Sequence, residues 1–358
     1  MLTHAVRSGR KSAVVAVGAA LTSVVLAACG SGSSKPVAAG RSAGGSLAGQ
    51  SITLYSGQHE QTVQALVKAF EAKTGVKVNV RSGDEAELAN QILTEGKASP
   101  ADAFFAENPP ALTTLEEKGL LAKVDASTLS AVPAADSSAG GDWLGVSARS
   151  AVFAYNTSAV QTSQLPTSVQ DLAGAAWKGK LGIAPSETDF TPIVTRMIKA
   201  VGADATKTWL QGLKANGKVY DSNEDLISAI NKGEVAGGVV DHYYWYRMRD
   251  EVGAGAVHSA LASFAAGDPG SMVDVSGIGI LSSSKHQAAA QALLAYLVSQ
   301  PGQQIIATSQ SYEYPLLPGV TAAKLDKPLS AAGPLVPATD LGDGKQALDL
   351  LQSVGLLS

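Results

Sequence analysis

The chain has 358 residues, which at about 150 residues per domain leaves room for two domains or slightly more. Apolar residues make up 45% and charged residues 16%, so the chain can bury a sizeable core and is not disordered as a whole. The formal net charge of −4 and the absence of a basic stripe exclude the usual nucleic-acid binder, and the single cysteine excludes a disulfide framework, a Cys-based zinc site and an iron–sulfur cluster.

The N-terminal residues read as an address. Arg7, Arg10 and Lys11 precede a largely apolar run from Ser12 to Ala28, which is too short and too abruptly ended for a comfortable membrane span. The run closes on Leu26-Ala27-Ala28-Cys29-Gly30, which resembles the lipobox of bacterial lipoproteins. That resemblance implies a signal peptide over 1–28 and lipid modification of Cys29. Residues 29–50, rich in Gly, Ser and Ala, then read as a flexible tether holding the protein at the outer face of the cytoplasmic membrane.

From Ser51 onward strands and helices alternate. Ile52 to Tyr55 is β-type, and Val63, Leu66, Val67 and Phe70 follow at helical spacing until Gly75. Val76, Val78 and Val80 alternate as a second strand. The pattern predicts a helix from Glu85 to Glu95, a strand at Ala103 to Phe105 and a helix opened by Leu112 and Leu115. Ser150 to Tyr155 is a long apolar strand placed to cross between lobes. Further strands are expected at Leu181–Ala184, Gly237–Val240 and Ile278–Leu281, and helices near Pro192–Ala200, Gln287–Gln300 and Gly302–Ser309. This alternation predicts an α/β fold of mostly parallel sheets covered by helices on both faces.

In such sheets ligands bind beyond the carboxyl ends of the strands. Three segments stand there: Tyr55 to His59, Phe105 to Asn108, and Val239 to Tyr246, the last read as a loop running off its strand. Together they offer an imidazole, a carboxylate and two adjacent phenols, a donor set suited to a hard trivalent cation, whose charge drives a tyrosine well below its usual pKa of about 10. Each residue also has a plainer reading. His59 fits a surface or capping histidine, Glu107 a favourable charge at a helix N-terminus, and Tyr243-Tyr244-Trp245-Tyr246 an aromatic core or a stacking wall.

The stretches ITLYSGQHEQTVQALVKAFEAKTGVKV, PADAFFAEN, WLGVSARSAVFAYN, AWKGKLGIAP, WLQGLKANGKVY, HYYWY, GDPGSMVDVSGIGIL and EYPL resemble the ferric-ion-binding proteins of bacterial iron ABC transporters. The likeness spans Ser51 to Leu357. It implies a type II periplasmic-binding-protein fold, two α/β lobes joined by two hinge strands around a central cleft. It also implies Fe(III) as the cargo, with His59 and Glu107 as ligands from one lobe and Tyr243 and Tyr244 from the other. Family members often complete six-coordinate iron with a bound anion. Where the phosphate-using members carry a Ser-Gly-Ala-type turn, this chain reads Glu187-Thr188-Asp189, whose carboxylates would repel phosphate. Carbonate is therefore expected ahead of phosphate, near Arg149 and Asn223. Alternatively, an acid among Glu187, Asp189 and Asp241 ligates directly or supports the ligands.

The lobes are expected as 51–150 plus 274–325 and 151–273 plus 326–358. The partners implied are an iron ABC permease and its ATPase, with no nucleic acid and a monomeric state. The chain has no GxSxG elbow, no HExxH and no free nucleophilic cysteine, so an enzyme is not expected. The competing reading within the same fold is an organic solute, such as a polyamine, thiamine or an iron chelate, held against the tyrosines.

Overall fold

The computed structural model describes residues 47–357. The expected signal peptide, Cys29 and the tether up to residue 46 lie outside the described residues. Residues 47–50 are held to the domain: Leu47 packs on the core, Gly49 N–H donates to Gly75 O at 3.0 Å, and Gln50 O accepts from Lys77 N at 2.8 Å.

The elements in chain order are β1 (Ser51–Ser56), α1 (Glu60–Thr74), β2 (Lys77–Ser82), α2 (Glu85–Glu95), β3 (Ala103–Ala106), α3 (Pro109–Glu117), β4 (Leu121–Ala122), α4 (Ala126–Leu129) and β5 (Trp143–Asn156). There follow β6 (Leu181–Ile183), α5 (Phe190–Val201), α6 (Ala203–Asn216), β7 (Gly217–Val219), α7 (Asn223–Lys232), β8 (Gly237–Asp241), α8 (His242–Val252) and β9 (Ser259–Ala262). The chain closes with β10 (Val273–Leu281), α9 (Gln287–Leu297), α10 (Gln300–Thr308), β11 (Tyr314–Pro315), α11 (Ala338–Leu341) and α12 (Lys345–Ser353). Among the described residues no helix is long and apolar enough to cross a membrane.

Local signals account for many boundaries. The apolar face of α1 buries Val63, Leu66, Val67 and Phe70, and Gly75 ends it in the left-handed conformation at φ 72°. Asp84 caps α2 by accepting from Glu87 N–H, which sets the start that the pattern predicted. One expectation fails: the segment after β8 is no loop, because α8 begins at His242. Its first turn is aromatic and carries little intrinsic helix preference, so packing rather than propensity forms it.

The strand order is β2-β1-β3-β10-β5-β8-β6-β7, with β4, β9 and β11 paired on its flanks. Strand β1 runs parallel to β2 and β3, and β6 parallel to β7 and β8, while β10 and β5 are antiparallel to their neighbours. The fourteen-residue β5 is buried throughout. Its first half, through Ser150, pairs with β10, and from Ala151 onward it pairs with β8 and β9. The packing changes at the same place. Trp143, Leu144, Val146 and Ala148 belong to one core with β1, β3, β10 and α9. Beyond Ser150 the side chains alternate between two further cores: Ala151, Phe153 and Tyr155 pack on one, Val152 and Ala154 on the other. The second sheet is thus covered on both faces, and β5 threads from the first core into the middle of the other two.

Gly237 shows how close that packing is, since a Cβ there would lie 2.4 Å from Phe153 Cζ and 2.8 Å from Ala154 O. Gly237→Ala is expected to lower stability by about 1–3 kcal/mol through overpacking. Gly255→Ala, which would meet nothing within 4 Å, should stay within about 0.5 kcal/mol of wild type. Denaturant unfolding of the two variants measures the difference.

Candidate metal centre

His59 lies three residues beyond the end of β1 and immediately precedes α1, yet its side chain makes no capping bond. The ring points away from its own helix. Its Nδ1 lies 3.1 Å from Glu107 Oε1, and its edge packs on Tyr243 with ring centroids 4.8 Å apart. Glu107 follows β3, where Pro109 and Pro110 open α3. Tyr243 and Tyr244 stand in the first turn of α8, straight after β8, with ring centroids 4.3 Å apart.

Asp189, just ahead of α5, completes the group. Tyr243 Oη donates to its Oδ2 at 3.0 Å and Tyr244 Oη to the same oxygen at 2.9 Å. Fold topology therefore brings together His59, Glu107, Tyr243 and Tyr244, the four ligands that the resemblance implied, and adds Asp189 from the set of possible extra donors. Glu187 stands further out and accepts from Asn223 N–H at 3.2 Å, while Asn223 Nδ2 reaches Asp189 Oδ2 at 3.4 Å. Asp241, the last residue of β8, faces Arg149 rather than the tyrosines.

The electrostatics are those of crowded acids. Burial, reinforced by Asp189, pushes both Tyr243 and Tyr244 well above the usual phenol range. Burial, then Asp189 and Glu85, holds Glu107 well above the carboxylate range. His59 is driven well below the usual imidazole range by burial and by Arg247 and Arg149. His59 Nδ1 and Glu107 Oε1 are thus within hydrogen-bond reach, with burial pushing the imidazole toward its neutral form. His59 Nε2 is buried and has no hydrogen-bond partner. A buried ring nitrogen without a partner, beside two carboxyl groups and two phenols, is a position that a bound cation would satisfy. Among the described residues no group of three or more His, Cys, Asp and Glu side chains could by itself hold a metal ion, so a cage here depends on the phenols.

Behind the cage lies a second layer in which Arg149, Asp189 and Asp241, singled out in the sequence, join Asn108, Glu85, Asp274 and Glu313, whose roles sequence reasoning missed. Asn108 donates from its backbone N–H and Nδ2 to Glu85, from Nδ2 also to Thr188 Oγ1 at 3.1 Å and Asp189 Oδ1 at 3.3 Å, and accepts from Arg149. Arg149, 1% exposed, sits 3.3 Å from Asp274, 3.6 Å from Asp241, 3.9 Å from Asp189 and 4.0 Å from Glu313. Burial alone would lower its basicity, but Asp274, Asp189 and Asp241 outweigh burial and hold it well above the usual value. Even so, desolvation raises Asp274 to about 6 and Glu313 to about 7. A further sequence signal for this layer, not used above, is an acid inside an otherwise apolar strand, Asp274 in VDVSGIGIL.

The fold and the cage define a class: a two-lobed α/β binding protein with a polar cleft where strands pass between the lobes. The model of the bacterial extracellular solute-binding protein family matches residues 65–338. The chain is 40% identical over 313 residues to the Fe(3+)-binding periplasmic protein of Serratia marcescens, covering 87% of this chain and 92% of that one. It is 37% identical over 311 residues to the major ferric iron-binding protein of Neisseria meningitidis serogroup B, covering 85% and 93%. Iron-bound HitA from Pseudomonas aeruginosa superposes with a TM-score of 0.82 at 40% identity, covering 86% of this chain and 99% of that one. A Trichodesmium protein in complex with iron and citrate ligands gives 0.74 at 30% identity, covering 85% and 99%. The chain belongs to the bacterial ferric-ion-binding proteins within that solute-binding family, and its fold is the type II periplasmic-binding-protein fold.

Removing the cation from the buried acid cluster gives a test of its balance. Arg149→Met should cost about 3–5 kcal/mol at pH 8, where the acids are left uncompensated. Asp274 and Glu313 already have folded-state values above their unfolded ones, so the native state holds protons that the unfolded state releases. Stability through these groups falls as pH rises through 6 to 7, and losing Arg149 steepens that fall. Unfolding at pH 5 and pH 8 should show a smaller deficit at the lower pH.

Proposed function

We propose that this protein captures Fe(III) outside the cytoplasm and delivers it to an ABC importer. The observation that carries the reading is the buried, partnerless Nε2 of His59 beside Glu107, Tyr243, Tyr244 and Asp189. One neutral nitrogen, two carboxylates and two phenols make a hard donor set that suits a trivalent cation better than zinc or copper. The organic-solute alternative needs tyrosine faces open to a ligand. Tyr243 and Tyr244 are only 1% and 5% exposed, pack on each other, and carry the Arg247 guanidinium 5.5 Å and 5.6 Å from their centroids.

Asp189 takes the place that an exogenous anion would fill. It already meets both phenols, and Asn108 and Asn223 hold it from behind. Any remaining position on the ion is left for water or carbonate, since phosphate would face the carboxylates of Asp189 and Glu187. Arg149 and Asp241 support the donors from the layer behind.

Capture proceeds by hinge closure. The lobes, 51–150 plus 274–325 and 151–273 plus 326–358, carry His59 and Glu107 on one side and the tyrosines and Asp189 on the other. All donors meet only in the closed form, so the ion favours it by differential affinity. The importer's permease and ATPase are the partners, and the protein acts as a monomer. A leader over 1–28 and a lipid on Cys29 would tether it to the outer face of the cytoplasmic membrane.

Titration of the protein with ferric citrate should produce a visible phenolate-to-iron charge-transfer band that saturates near one iron per chain. The band should vanish in Tyr243→Phe/Tyr244→Phe; a wild-type protein without it would overturn the reading. In Asp189→Asn, binding should weaken and come to depend on added bicarbonate.

Both tyrosines and Glu107 hold protons before the ion arrives, so binding should release about two to three protons. Affinity then falls as pH falls, by about two to three decades per unit where those groups are protonated. Calorimetry in buffers of different ionisation enthalpy counts the protons directly.

A further inference from the structure

Helix α8 has two working faces. Tyr243, Tyr244 and Arg247 turn toward the cage. His242, Tyr246 and Asp250, at i, i+4 and i+8, form another stripe, and all three are tied to a single residue, Tyr312. Ser150 N–H donates to His242 Nδ1 at 3.2 Å, which leaves the ring proton on Nε2, and that nitrogen donates to Tyr312 O at 2.8 Å. The Tyr246 ring stacks on the Tyr312 ring at 5.4 Å and 17°. Tyr312 Oη donates to the Asp250 carboxylate.

Tyr312 is also the one non-glycine residue with positive φ among the described residues, at 58°. A bulky side chain in the left-handed region persists only where its surroundings over-determine it. Glycine would adopt this backbone at no steric cost, so the tyrosine is held by what its ring and hydroxyl contact. The residues that follow leave the core that Tyr312 shares with α8. Glu313 joins the Arg149 cluster, and Tyr314 pairs with Ala148 of β5, packs in the first core and stacks on His242 at 4.8 Å.

We propose that Tyr312 is a positioning residue for iron capture: it clasps one flank of α8 so that the adjoining face of the same helix presents Tyr243 and Tyr244 at the correct rotation. A helix pinned at three successive turns along one stripe cannot roll, and rolling is the motion that would carry two adjacent phenols off one ion. This inference rests on the reading of Tyr243 and Tyr244 as iron donors, and its test keeps the two apart.

The test compares the wild-type full chain with Tyr312→Gly, which suits the backbone and removes the clasp, and Tyr312→Phe, which removes only the hydroxyl. Amide hydrogen exchange of α8 is measured without iron. The charge-transfer band and the rate of iron loss to a competing chelator are measured with it. The expected result is faster exchange along α8 in Tyr312→Gly, a shifted or weakened band and iron loss faster by about tenfold or more, in the range typical of lost outer-layer support. Tyr312→Phe should fall between that variant and wild type. Unchanged α8 exchange in a folded Tyr312→Gly protein overturns the clasp. Faster exchange with an unchanged band and unchanged iron loss overturns its positioning role. No band in the wild type defeats the iron-donor reading and the positioning role with it, while the exchange data still decide whether Tyr312 clasps the helix.

Discussion

A guanidinium with almost no access to water sits among Asp274, Asp241, Asp189 and Glu313, and most of the molecule's special features follow from keeping that charge compensated. Arg149 lies on β5 one residue before the strand exchanges β10 for β8 as its partner. Its carboxylates come from β8, from β10, from the start of α5 and from the approach to β11. A buried cation with that many counter-charges ties those elements together, because withdrawing one of them leaves charge uncompensated in a low dielectric. The strands that pass between the lobes are therefore held at the one point where their packing changes from one core to another.

The cage builds on that anchor. Asp189 is shared: one oxygen faces Arg149 and Asn108, the other receives both phenols. The positive charge behind Asp189 keeps a carboxylate in place where two tyrosines and Glu107 crowd it. Desolvation pushes those three groups up and His59 down, and His59 Nε2 is left without a hydrogen-bond partner. A trivalent ion entering this cavity would have to displace protons that burial holds on the phenols and Glu107. Helix α8 carries the phenols on one face and is tied along the adjoining stripe to Tyr312, which packs in the same core.

Much of the fold was legible in the sequence because its signals are local. The period of Val63, Leu66, Val67 and Phe70 and the glycine at 75 each act within a few residues. The positions of His59 and Glu107 after strands were legible for the same reason, and their pairing with Tyr243 and Tyr244 came from likeness to a family. The start of α8 was not legible, because a His-Tyr-Tyr-Trp-Tyr run has no strong preference of its own and becomes helical by packing against Tyr312, Tyr314 and the second sheet.

Other features exist only once the chain has folded. Nothing in the neighbourhood of Asn108 in sequence announces that it will bridge Glu85, Arg149 and Asp189, and nothing near Tyr312 announces a left-handed backbone. The sequence by itself determined the alternation of strands and helices, the residue types available at the strand ends and the carboxylates at 187 and 189. Tertiary structure decided which acid meets the phenols, which cation balances it and which residue holds the helix. Those choices depend on distance and burial between segments up to 255 residues apart, as in the bond from Gln58 to Glu313, and only the completed topology sets such distances.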